Sequence, residues 1–258
     1  NGDGTLKRTD VSDNTLDALG CEGNGENAVC YGPGANATGT NTTALGAYST
    51  ADATGAIATG AGATASGEQS VAVGQATKAL GKQSTALGAA SYANGIGSIA
   101  LGGESIADGT DVMAQGRGAS AKGNDTIAIG SQSTTSGRNA LAFGVQSFAD
   151  GSDVMALGAG ARATGSRATA VGVGAATTRD NQVMLGTSSD EVTVANLAGS
   201  GKAIVSANGD GTLKRTDVSE NTLDALGCVG NGENAVCYGP GANATGINTT
   251  SIGAYSTA

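Results

Sequence analysis

The stretches EQSVAVGQATKALG (68–81) and KQSTALGAASYANG (82–95) are two versions of one 14-residue unit. With Glu68 as position 1, Gly falls at positions 7 and 14 and Ala at positions 5 and 12. Working outward, the position-7 Gly recurs at 32, 46, 60, 74, 88, 102, 116, 130, 144, 158 and 172 without a break. The position-14 Gly recurs at 39, 67, 81, 95, 109, 123, 137, 151 and 165, with Ala53 the one exception. A fixed period sustained over so many units is the mark of a repeat architecture.

Helix is excluded by mechanism. Each unit would carry two glycines, at about 1 kcal/mol apiece relative to Ala in a helix interior. The alternation at positions 3–6 has period 2, which belongs to strands. Gly every seven residues then marks corners, where φ takes values closed to other residues. Each unit reads as two short strands and two turns, one coil of a solenoid. Composition agrees. The 258 residues include 45 Gly, 2 Phe and no Trp, too few large side chains for an ordinary globular core.

The faces follow from the residue sizes. Position 5 is Ala from Ala44 to Ala170, with Cys30 before them, and position 12 is Ala except at Thr135. Both must point into a narrow interior filled by methyl groups. Positions 4 and 6 then point outward, yet every pair has an apolar member, as in Val71 and Val73, Ile99 and Leu101, Ile127 and Ile129, Leu141 and Phe143, Met155 and Leu157, though Thr43, Thr59, Thr85, Gln115 and Thr169 intrude. Ten coils at roughly 4.8 Å make a stripe about 50 Å long, too large for a lone chain to leave in water. The stripe must be buried against another chain. Position 11 takes residues of every size and charge and is expected to face solvent. Tyr92, Ile106 and Phe148 are apolar there and form a possible ligand face, although scattered exposed apolar residues are ordinary.

SVAVG (70–74), SIALG (98–102), TIAIG (126–130) and TAVG (169–172) resemble the head repeat of YadA-like trimeric autotransporter adhesins. The likeness covers 26–172 and restarts at 233–258. It implies an all-β fold, a left-handed parallel β-roll in each chain, and a homotrimer with positions 4 and 6 facing the threefold axis. Handedness and the number three come from the resemblance alone. It also implies export to the bacterial cell surface, with the outer-membrane anchor in a C-terminal domain outside this stretch. Some members of the family bind collagen-like or other matrix ligands.

DNQVMLGTSSDEVTVANLAG (180–199) is similar to the neck that follows such heads, though no heptads succeed it. KAIVSANGDGTLKRTD (202–217) holds two alternating runs around Asn208 and Gly209 and reads as a β-hairpin. Ser219 before Leu223 and Leu226 suits a short capped helix. The expected organisation is a connector at 1–25, a head at 26–178, a neck-like segment at 179–199, a connector of hairpin and short helix at 200–232, and a second head from 233. Residues 1–51 recur at 208–258 with five differences, so the chain is expected to be a window on a longer fibre.

The four cysteines follow that duplication: Cys21 and Cys30, then Cys228 and Cys237. A nine-residue spacing without His or a CxxC pair suits zinc poorly. Free buried thiols are one reading. Disulfides are favoured in an exported chain, because that compartment is oxidising. A Cys21–Cys30 bond would close the open end of the roll, and a bond between chains is the alternative.

Chemistry is sparse. There is no His, which removes Ser-His-Asp and Cys-His catalysis and the usual metal ligand. No phosphate-binding loop and no calcium-binding nonapeptide repeat occurs. ADGTD (107–111) and ADGSD (149–153) read as solvated turns rather than ion sites. The sequons at Asn36, Asn41 and Asn124 carry little weight in a bacterial chain. A net charge of −9 disfavours nucleic acid and anionic membranes as partners. No enzyme activity, cofactor or metal is expected. The functional expectation is a trimeric head that attaches to host matrix protein, glycan or an abiotic surface through repeated outer faces. The alternative is a spacer head that only lengthens the fibre. A phage-type fibre or an ice-binding solenoid fits less well, the latter because position 11 lacks a Thr array.

Overall fold

The computed structural model describes residues 20–194, 203–207, 213–217, 228–229, 236–238 and 241–258. Residues 20–190 form a parallel β-solenoid whose coils are 14 residues long. One sheet has 12 strands, starting with Val29–Tyr31 and ending with Val183–Leu185. The other has 11, starting with Cys21–Glu22 and ending with Arg162–Thr164. Each strand pairs in parallel with the equivalent strand one coil away. Ala86 lies between Ala72 and Ala100, and Ala93 between Ala79 and Ala107.

The register stacks like on like. A period of 14 with two residues of opposite facing on either side of each Ala leaves no other pairing that keeps all the methyls inside. Ala72, Ala86, Ala100, Ala114 and Ala128 are fully buried in the first sheet, as are Ala65, Ala79, Ala93 and Ala107 in the second. The expected inward and outward assignments hold.

The interior also contains hydroxyls that the alanine reading did not include. Ser and Thr at positions 3 and 10 are buried at the corners. Ser91 Oγ donates to the Gly88 carbonyl at 2.9 Å and Ser105 Oγ to the Gly102 carbonyl at 2.8 Å. Ser49, Ser133 and Ser147 repeat the contact. A position-10 hydroxyl thus meets a position-7 carbonyl turned inward at the corner, which offsets the cost of burying it. Thr135 stands at inward position 12 with its hydroxyl unpartnered. Around it the buried apolar core divides, one cluster ending at Ala128 and the next beginning at Ala140.

Both glycine series lie where successive coils approach closely, and they differ in φ. The position-7 series has positive φ throughout, +128° at Gly88 for example. At Gly81 of the position-14 series φ is ordinary, but a Cβ would lie 1.9 Å from the carbonyl oxygen of Gly95 in the next coil. Close approach of successive coils is the reason at Gly39, Gly67, Gly81 and Gly95, whereas Gly109, Gly123, Gly137, Gly151 and Gly165 add a positive φ to it. The left-handed turn residues are instead at positions 2 and 9, and many are not Gly, among them Gln83 at +57° and Ala90 at +56°.

An expected result tests the interior. Ala100→Leu or Ala128→Leu forces three extra carbons into a space sized for a methyl, where overpacking costs about 1–3 kcal/mol. Lys78→Ala on the exposed face should stay within about 0.5 kcal/mol. Denaturation curves compare the three. Equal, small effects would reverse the inward and outward assignments.

The second unit, Glu191–Ala258, is described in part. Ala203–Ala207 pairs antiparallel with Leu213–Asp217, as the hairpin reading expects. Cys228–Val229 pairs in parallel with Ala242–Asn243, and Val236–Tyr238 with Thr250–Ile252. These are the pairings of the first roll shifted by the long repeat. The short helix expected after Ser219, and the side chains of Cys228 and Cys237, lie outside the described residues.

Candidate functional site

Three surfaces run the length of the first roll. The outer face of the 12-stranded sheet carries positions 4 and 6. Val71, Val73, Ile99, Leu101, Ile129 and Leu141 point out and are half-buried by their stacked neighbours. Ile127, Phe143, Met155 and Leu157 are exposed, Phe143 by 49%. Leu87, at 48%, belongs to the same row. A few exposed apolar residues also stand at the adjoining corner, between polar ones such as Gln75, Glu104 and Arg117. Tyr48 at position 9 is 73% exposed, and Val145 and Val173 at position 8 are exposed in coils far along the roll from it.

The outer face of the 11-stranded sheet carries position 11. Tyr92, Ile106 and Phe148 point outward but are half-buried. Their neighbours in the stack explain this. Tyr92 lies between Lys78 and Ile106, and Phe148 between Thr134 and Arg162. The Arg162 guanidinium sits 4.4 Å from the Phe148 ring centroid, a cation–π contact that covers one side of the ring. Tyr92 and Ile106 are adjacent, whereas Phe148 stands apart. The three do not form one patch.

The third surface is the corner at positions 13 to 2, which is polar. Its side chains bond along the roll from one coil to the next. Asn94 Nδ2 donates to Asp108 at 2.9 Å, Asn139 Nδ2 to Asp153 at 2.8 Å, and Ser136 Oγ to Asp150 at 2.6 Å. Gln83 donates to Gln69, and Lys82 pairs with Glu68 at 2.9 Å. Asp108 of ADGTD and both aspartates of ADGSD, Asp150 and Asp153, are thus exposed rungs of a ladder. Among the described residues no group of three or more His, Cys, Asp or Glu side chains is placed to hold a metal ion. No described helix is long and apolar enough to cross a membrane.

The ends of the roll are closed differently. Cys21 and Cys30 form a disulfide within the chain, with 6.1 Å between their Cα atoms, so the intrachain reading holds for this pair. At the far end Met184 takes the place of the position-5 Ala, in register with Ala170, and packs on the last core cluster. Just beyond, Asp190 accepts bonds from the backbone N–H and the hydroxyl of Thr187, which hold its carboxyl below the usual carboxylate range.

A family profile described as the YadA head domain repeat matches this coil architecture in overlapping windows from 24 to 133, then at 136–161, 163–181 and 231–256. The chain belongs to the YadA head family. Among solved structures it is similar to the collagen-binding domain of the Yersinia adhesin YadA, at 29% identity and a TM-score of 0.48, over 57% of this chain and 82% of that one. No curated protein matches it. As a YadA-like adhesin head the chain is not an enzyme.

Proposed function

We propose that this roll is one protomer of a three-chain adhesin head on a bacterial surface, attaching through its repeated outer faces to host matrix protein, glycan or an abiotic surface. The observation that carries the reading is the contrast between the two sheet faces. Apolar side chains on the 11-stranded sheet are half-covered by their own neighbours, whereas those at positions 4 and 6 include a row left exposed along many coils. Such a row calls for a partner chain. With that face occupied, the outer sheet and the polar corner remain for a ligand. Each contact on them is weak, and three copies per head with many heads per cell supply avidity. Export and outer-membrane anchoring belong to the same proposal.

A second reading is a spacer without a ligand of its own. It is favoured by the duplication, in which only five of 51 positions differ, and by the cover that Arg162 gives Phe148. One experiment separates the two. The assembled head is tested for capture on matrix proteins, glycans and plastic, alongside a variant with Tyr92, Ile106 and Phe148 all changed to Ser. Under the adhesin reading the variant keeps its assembly and loses most of the capture. Capture by neither protein would leave the head a spacer.

A further inference from the structure

Every coil of the first roll has a neighbour on both sides except those at its ends. Among the described residues, Cys21–Glu22 is the edge strand of one sheet at the N-terminal end and Val29–Tyr31 the edge strand of the other. The first of these has only two residues, paired with Ala35 and Asn36. In a solenoid each repeat is held by its neighbours alone, so an end coil is the least stable and the first to open.

The register shows what each cysteine replaces. Cys30 pairs with Ala44 and stands in the column of Ala44, Ala58 and Ala72. Cys21 pairs with Ala35 and stands in the column of Ala35, Ser49 and Ala63. Small residues fill both columns in the coils that follow. The cysteines are therefore not needed for volume. What they add is a covalent tie from one sheet to the other, across the end of the interior. Both are buried, at 2% and 7% exposure, which keeps thiols in solution away from the sulfurs.

We propose that the Cys21–Cys30 disulfide is a load-bearing latch that stops the roll from peeling open at its N-terminal end when the adhesin is pulled. The inference rests on the adhesin reading for its purpose and on the geometry for its mechanism. Tension entering at Gly20 without the bond would strip Cys21–Glu22 first and the Val29–Tyr31 strand afterwards, one short strand at a time. With the bond, load passes directly from Cys21 to Cys30 and bypasses the residues between them. The chain beyond Cys30 then leaves only if a strand in each sheet is released together. Two rows of hydrogen bonds break at once instead of in turn.

The test is Cys21→Ala with Cys30→Ala in the full chain. Alanine is the residue that the next coil carries in each column, so the roll keeps its packing and loses only the tie. Hydrogen exchange should speed up on the order of 100-fold at the amides of the first coil, as expected for losing a loop closure of about ten residues. Exchange at Ile127, Leu141 and the other central strands should not change. In single-molecule pulling from the N-terminus, the first rupture should fall to a lower force. Unchanged exchange in the first coil, or an unchanged first rupture, would overturn the latch. Neither measurement uses a ligand, so the latch can fail while the adhesin reading stands, and the reverse.

Discussion

Leu101→Asp together with Leu157→Asp should convert the proposed trimer into monomers at low micromolar concentration. Both side chains point outward from the 12-stranded sheet at position 6, where the single chain leaves them partly or well exposed to water. A carboxylate at either place is therefore solvated in the separate chain and costs its fold little. In the proposed trimer the same carboxylates lie in an apolar seam with no cation opposite them. Leaving a charge buried and unpaired costs about 3–5 kcal/mol. Even about 4 kcal/mol over the whole assembly would raise the dissociation constant about a thousandfold. Light scattering reads the mass, and circular dichroism checks that the strands persist. A variant that stays trimeric would remove positions 4 and 6 from the interface. A parent chain that is a stable monomer with the same dichroism would end the three-chain proposal.

The second large effect is expected from one methyl group. Gly102 has φ of +126°, and a Cβ there would sit 2.7 Å from the carbonyl oxygen of Gly116 in the next coil. Gly102→Ala thus meets two penalties. Backbone strain at such a φ costs about 1–3 kcal/mol. The clash is with backbone, which cannot rotate away as a side chain would, and overpacking adds about 1–3 kcal/mol. A total of about 3 kcal/mol or more should appear in denaturant unfolding. The neighbouring residue is the control. A Cβ on Gly103 would meet nothing nearer than the Ala89 carbonyl oxygen at 3.7 Å, an ordinary contact, and its φ is not in the left-handed region. Gly103→Ala should therefore stay within about 0.5 kcal/mol. Equal effects at 102 and 103 would mean that the coil corner is not the constraint it is taken to be.

Much of the fold could be read from the chain because its constraints are local and repeated. The inward columns of Ala, the outward apolar row and the two-strand coil each depend on residues a fixed number apart, and every unit restates them. The antiparallel pair at 203–217 was legible for the same reason, since alternation and a turn signal lie within sixteen residues. The Cys21–Cys30 bond was open between two pairings, because spacing alone does not say whether a sulfur finds its own chain or a neighbour's. The candidate ligand face was read only in outline. Position 11 does point outward, but the half-burial of Tyr92 and Phe148 depends on what lies one coil above and below, and size-indifferent columns give no pattern for that.

Period, strand type and the sorting of residues into interior and surface were thus determined by the sequence itself, as was the outward apolar row at positions 4 and 6 on which the proposed trimer rests. They are set by side-chain volume and hydropathy, which are properties of residues. Tertiary structure alone decided that the position-10 Ser hydroxyls bond the corner carbonyls, that Gly81 answers to close approach and not to φ, and that Arg162 covers Phe148. Each of those depends on distances of about 2–4 Å between atoms of different residues, most of them in different coils, and such distances exist only once the coils have stacked.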